Sequence, residues 1–195
     1  MDNKQIVIAD IGAAGGVHPR WDRLSRYAFF LLFEPNAAEC KKLRAGYTDQ
    51  RLLSSMVKDP YFKRPAPKST GREYFHLDWL EHQLQAHQSV SPAGVLTTLA
   101  ELTCVTIADE IEKHRVDTVL VCGGGVKNGY LMERLQNLLT NRLVTSTQTA
   151  GIDPDFVEAI AFAWFGYQTL NRKTSNCPSV TGATGPRILG AIYPN

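Results

Sequence analysis

The chain is short of the features that usually announce a function. No apolar run approaches the ~20 residues that a membrane-spanning helix needs, and Met1-Asp2-Asn3-Lys4 leads straight into a short strand. The expectation is therefore a protein with no membrane span and no signal peptide. Cysteine is sparse: Cys40, Cys104, Cys122 and Cys177 are scattered, with no CxxC pair and no Cys/His ligand spacing. That pattern excludes an ordinary zinc site, and no other metal ligands are expected. Cys104 and Cys122 lie in apolar surroundings and read as reduced core residues, which fits a cytoplasmic location. Neither sign of charge dominates: 21 Lys and Arg face 19 Asp and Glu, for a formal net charge of +2. Without a basic stripe interleaved with aromatics, nucleic acid is not an expected partner. Ser69 has His76 and His82 downstream but no nucleophile elbow around it, so no serine nucleophile is expected. Internal repeats and low-complexity tracts are absent.

What is present begins with Asp117-Thr118-Val119-Leu120-Val121-Cys122, an apolar strand that runs into Gly123-Gly124-Gly125 and then Val126-Lys127-Asn128. Three residues without a Cβ let a ligand approach the backbone, and the helix start that follows offers free N–H groups. One reading is contact with a nucleotide. The other is a glycine turn made for tight packing.

Around it the apolar residues recur with helical and strand periods. Leu52, Leu53 and Met56 mark a short helix, and Asp78 to Gln85 a second one. Ser91-Pro92 reads as an N-cap with proline at the first helical position. Leu96, Leu99, Ala100, Thr103, Ile107 and Ile111 then give a long helix with one buried face, and His114-Arg115 suit its negative pole. A helix over about 129–140, a strand over 142–147 and a helix from Asp153-Pro154 to about Leu170 follow. Val157, Ile160, Ala161, Trp164 and Phe165 form the expected buried face of that last helix. Alternating helices and strands indicate an α/β layer architecture. The 44% hydrophobic content and the length allow one large domain or two small ones.

The stretch from about Arg44 to Asn195 carries ordered blocks: Asp59-Pro60-Tyr61-Phe62, Pro65-Ala66-Pro67-Lys68-Ser69-Thr70-Gly71-Arg72-Glu73-Tyr74-Phe75, and Thr98-Leu99-Ala100-Glu101-Leu102-Thr103. The glycine turn, Glu158-Ala159 with Ala161-Phe162-Ala163-Trp164, and Pro178-Ser179-Val180-Thr181-Gly182-Ala183 complete the set. Together they resemble the C-terminal half of the anhydro-N-acetylmuramic acid kinases. The resemblance implies one lobe of an actin-like, sugar-kinase fold of the ribonuclease-H-like type. It implies ATP with magnesium as cofactors and an amino sugar as partner, opened hydrolytically and phosphorylated at O6 in cell-wall recycling. Carried over, Gly123, Gly124, Gly125 and Asn128 would line the nucleotide, and Glu158, Lys68 and Arg72 the sugar side. The long helices imply a possible homodimer. That family's Gly-Thr-Ser-x-Asp-Gly phosphate loop and its Asp-Thr-Gly-Pro-Gly-Asn stretch, whose aspartate activates water, are missing from this chain. No catalytic residue is therefore assigned, and turnover by the chain alone is not expected.

Residues 1–43 resemble something else. Gln5 to Ile11 reads as a buried parallel strand, followed by Gly12-Ala13-Ala14-Gly15-Gly16, a second strand at Phe29–Phe33, and Glu34-Pro35. With Trp21, these residues are similar to the start of S-adenosylmethionine-dependent methyltransferases of the FkbM type. The resemblance implies Asp10, Gly12 and Gly15 near that cofactor and Glu34 on its ribose, the place that dinucleotide folds give an acid about 20 residues past the glycines. S-adenosylmethionine is thus the alternative cofactor. The expected organisation is a truncated, Rossmann-like strand–loop–strand piece joined to a kinase lobe at 44–195.

Overall fold

A strand with apolar side chains on both faces needs cover on both faces, and helices of 3.6-residue period supply it. The computed structural model describes residues 7–10, 41, 43–65, 68, 70–71 and 73–193. Its elements are β1 (Val7–Asp10), α1 (Gln50–Met56), α2 (Leu77–Leu84), α3 (Pro92–Glu112), β2 (Thr118–Cys122) and α4 (Gly129–Leu138). They are followed by β3 (Leu143–Ser146), α5 (Val157–Leu170) and the single turn α6 (Pro178–Thr181). Short 3-10 turns lie at Pro60–Lys63, Gly124–Lys127 and Thr147–Ala150. The strands form one parallel sheet in the order β1-β2-β3. The architecture is α/β, with helices around a small parallel sheet. The strand from the first segment extends that sheet, with Val7 opposite Val119 and Asp10 opposite Cys122. Gly12, Gly15, Glu34, Arg72 and the strand expected at 29–33 lie outside the described residues.

Helix α3 begins as its sequence predicts: the Ser91 hydroxyl accepts from the Gly94 N–H at 3.2 Å, and Pro92 opens the helix. One buried face was the expectation. Instead every residue from Gly94 to Leu102 is buried. The reason is that α3 serves two cores. Leu96, Ala100, Cys104, Ala108 and Ile111, at helical spacing, pack with Val119, Val121 and Val144 of the sheet and Leu131 and Leu135 of α4. Val95, Leu99 and Leu102, on another face, pack with Leu52 and Met56 of α1 and Leu80 of α2. Cys104 is a free, fully buried thiol whose pKa burial pushes up to about 12, with Glu101 adding to it. It is an inert core residue, as its surroundings predict. His114 and Arg115 fall beyond the helix end at Glu112. There the His114 carbonyl accepts from the Arg142 guanidinium, which also pairs with Glu112 and donates to the Val116 carbonyl at 3.1 Å.

The buried polar side chains of α3 are engaged in specific bonds. Thr97 donates to the Leu43 carbonyl at 3.2 Å, and Thr98 donates to the Gly94 carbonyl while accepting from the Asp49 N–H at 2.9 Å. Asp49 in turn caps α1 through the Arg51 and Leu52 N–H groups. Glu101, only 5% exposed, meets Arg134 of α4 in a two-pronged pair, Nε to Oε2 at 2.6 Å and Nη2 to Oε1 at 2.7 Å. A planar guanidinium on a carboxylate fixes both distance and rotation between the two helices.

Because a buried charge left without its partner is costly, Arg134→Met is expected to lose about 3 kcal/mol in urea denaturation. Adding Glu101→Met should recover most of that loss. A single variant as stable as the parent would show that the clasp contributes nothing.

Candidate functional site

In a parallel sheet the carboxyl ends of the strands carry the loops that reach ligands. Here that edge is formed by Asp10, by Cys122 leading into Gly123, and by Ser146 leading into Thr147. Gly123 has φ 75° and ψ −175°, a conformation essentially confined to glycine. Its N–H donates to the Pro154 carbonyl at 2.9 Å, which ties the glycine turn to the segment before α5. Lys127, at the end of the 3-10 turn, bonds Asp155 at 2.5 Å, and this contact raises its pKa. The sequence-predicted residues Gly123, Gly124, Gly125 and Asn128 are therefore together at the sheet's carboxyl edge.

The helix start after them is not open as expected. The buried Asn128 caps α4, its Oδ1 accepting from the Tyr130 N–H at 3.1 Å and the Leu131 N–H at 3.3 Å. These N–H groups are satisfied internally. What the glycine turn can offer a ligand is close approach to its backbone, not the pole of α4.

Glu158 sits in the first turn of α5, exposed, four residues beyond Pro154. The helix itself starts at Val157 and not at Asp153. Asp153 instead accepts from the Asp155 N–H at 2.9 Å and stabilises a turn over 153–156. Thr147 is a residue the sequence reading missed. It is 1% exposed, at the end of β3, and its hydroxyl has no hydrogen-bond partner among the described residues. A buried hydroxyl with nothing to bond costs about 1–3 kcal/mol. The threonine's place at the strand end was legible, but its missing partner was not.

Lys68 lies elsewhere. Its ammonium donates to Glu110 at 2.6 Å and to the Phe62 carbonyl at 3.0 Å, and stands 5.8 Å from the Tyr61 ring centre. Glu110 is in the last turn of α3, at the end where the chain turns into the start of β2. The glycine turn is at the other end of that strand. The structure thus makes Lys68 a strut between the loop and α3, and does not bring it to Gly123. The same loop is anchored by Asp59, whose carboxylate accepts from Tyr74 Oη at 2.7 Å, the Tyr61 N–H at 2.8 Å and Trp79 Nε1 at 2.9 Å. Tyr61, Phe62, Tyr74, Phe75 and Trp79 pack their rings around it. Burial by itself would raise the Asp59 pKa. The donors from Tyr74, Trp79 and Tyr61, with Arg64 nearby, outweigh it and hold the group below its ordinary 3.8.

The blocks that the sequence suggested are now placed on one fold, and comparison with known proteins agrees with them. A family model for anhydro-N-acetylmuramic acid kinase matches residues 31–195. The chain belongs to the anhydro-N-acetylmuramic acid kinase family. Similar relatives carrying that name come from Hahella chejuensis (51% identical over 151 residues), Xylella fastidiosa (51% over 152) and Pseudomonas fluorescens (49% over 153). Each alignment covers 77% of this chain but only 41%, 40% and 42% of the relative. The chain thus spans about two-fifths of the length of the curated kinases it matches. Both the glycine turn and α5 fall inside the stretch matched by the family model. Among the described residues, no helix is long and apolar enough to cross a membrane.

Two outcomes follow from these contacts. Thr147→Val keeps the shape and removes the unpaired hydroxyl, so ligand-free protein should gain about 1 kcal/mol in urea denaturation; a loss of that size would mean that the hydroxyl is bonded after all. Asp59 has a folded pKa below its unfolded one, so its contribution is complete above 3.8 and lost as pH falls through the folded value. The urea midpoint should drop on acidification below that point, and Asp59→Asn should flatten this part of the profile while lowering stability at pH 7 by about 2 kcal/mol.

Proposed function

We propose that this chain is the nucleotide-holding lobe of an anhydro-N-acetylmuramic acid kinase, of the actin-like, sugar-kinase type. The observation that carries the reading is the glycine-only conformation of Gly123 at the carboxyl edge of a parallel sheet, within a stretch that belongs to that family. Gly123, Gly124 and Gly125 would let the adenosine part of ATP lie against the backbone. The unpaired Thr147 hydroxyl at the same edge fits a site with a polar ligand nearby. Asn128 shapes this surface from beneath by holding α4, and Glu158 is the residue assigned to the amino sugar. Lys68, another sugar-side candidate, is held by Glu110 and the Phe62 carbonyl, and Arg72, the third, lies outside the described residues. No group of three or more His, Cys, Asp or Glu able to hold a metal occurs among the described residues, so none is assigned to magnesium.

In the full reaction, ATP supplies the γ-phosphoryl group for O6 of the opened sugar. Such transfer depends on a cradle for the γ-phosphate and a residue that orients the nucleophile. The phosphate-loop and water-activating motifs of the family are absent from this sequence. The chain alone would therefore hold nucleotide without turning it over. The family match begins at residue 31, ahead of the boundary expected near residue 44.

Isothermal titration should show ATP binding and no heat with S-adenosylmethionine. Gly123→Val should weaken ATP at least tenfold, about 1.4 kcal/mol, with thermal melting used to confirm that the variant is folded. ADP release with the anhydro sugar should stay at background. Robust turnover that depended on Glu158 would overturn the view that this lobe is incomplete by itself.

A further inference from the structure

Lys127 is the only basic residue in the two stretches tied together at the sheet's carboxyl edge. Residues 123–128 and 146–160 hold no other lysine, arginine or histidine, while Asp153, Asp155 and Glu158 are acidic. Taken together the two stretches are net negative, a poor match for ATP, whose phosphates are repelled by carboxylates. The one cation is itself engaged. Its ammonium bonds the Asp155 carboxylate at 2.5 Å, and the field of Asp153 adds to the pull that raises its pKa. The Pro154 carbonyl, between those two acids, takes the Gly123 N–H. The 153–156 turn therefore occupies both the cation and the leading N–H of the glycine turn.

The ion pair can open while the rest of this tie stays closed. The Lys127 and Asp155 side chains are 52% and 43% exposed, so water screens their attraction, and pairs of this kind contribute little to stability. A lysine is a point charge on a flexible four-carbon stem, which lets it change partners without moving the backbone. The Gly123–Pro154 bond and the Asp155 N–H, held by Asp153 Oδ1 at 2.9 Å, keep the turn in place meanwhile. A triphosphate carries more negative charge than one carboxylate and competes for the same ammonium. We propose that Lys127 is a phosphate-binding residue of this lobe and that Asp155 holds it in reserve. The ammonium leaves the carboxylate for the phosphates of ATP when the nucleotide lies along the glycine turn. The proposal rests on the nucleotide reading and adds to it the residue that tells ATP from adenosine. A pair that only fastened the turn would instead affect every ligand of the glycine turn alike.

Isothermal titration of the full chain with ATP and, separately, with adenosine tests this. Lys127→Met should weaken ATP about tenfold. Asp155→Asn should tighten ATP about threefold by freeing the lysine. The double variant should bind ATP as weakly as Lys127→Met alone, because Asp155 acts through the lysine. Adenosine affinity should be the same in all three variants as in the parent, and melting temperatures should stay near the parent's. Added salt should shrink the effect of Lys127→Met on ATP. Equal losses of ATP and adenosine would make the pair a fastener and overturn the proposal. So would ATP binding that neither substitution changes. Tightening by Asp155→Asn that persists without the lysine would show that Asp155 repels phosphate directly, and would overturn the exchange. Each of these results, with adenosine still bound by the parent, leaves the nucleotide-holding lobe standing. A parent that binds neither adenosine nor ATP defeats the lobe's proposed role and the exchange with it.

Discussion

The double burial of α3 is the constraint on which the rest of the structure depends. One helix supplies the sheet-side core with Leu96, Ala100 and Cys104 and the second core with Val95, Leu99 and Leu102. A helix surrounded in this way cannot shift without opening one core or the other, because interiors are packed at crystal-like density. Its buried threonines convert that packing into specificity. Thr98 receives the Asp49 N–H and so sets where α1 begins, while Thr97 holds the Leu43 carbonyl. The Glu101–Arg134 clasp does the same for α4.

Placing α4 matters because the glycine turn hangs between it and β2. β2 is pinned on its two edges by β1 and β3, with Val119 facing Val7 on one side and Val144 on the other. Asn128 then caps α4 with its own side chain, so the path from Cys122 to Gly129 is held at both ends. Between them Gly123 takes the glycine-favoured conformation by which the chain leaves the strand. The carboxyl edge of the sheet is thus a product of the α3 cores, transmitted through α4 and β2 rather than built by the loop itself.

Most of this frame was legible in the sequence. Leu131 and Leu135 of α4, the Ser91-Pro92 start of α3 and the apolar run of β2 each obey a local rule, and the structure follows them within one or two residues. The errors have a common cause. Periodicity reports which residues are apolar, not what covers them. It could not tell that α3 would be enclosed by two cores, nor that Ile160 and Trp164, read as core, would face water. Side-chain partners were equally out of reach. Lys68 reads as a loop cation until its bond to Glu110, 42 residues on, is seen. Asp59 was part of a recognisable block, but its bonds to Tyr74 and Trp79 cross 15 and 20 residues. Thr147 gives no signal at all, since an unpaired hydroxyl is a property of the fold.

Thr147 and Ser175 each carry a buried hydroxyl without a hydrogen-bond partner among the described residues. Thr147 stands ten residues before the start of α5, a helix none of whose residues is buried. Between them the turn over 153–156 gives its Pro154 carbonyl to the Gly123 N–H and its Asp155 carboxylate to Lys127. The glycine turn and the segment that leads into α5 are therefore mechanically joined.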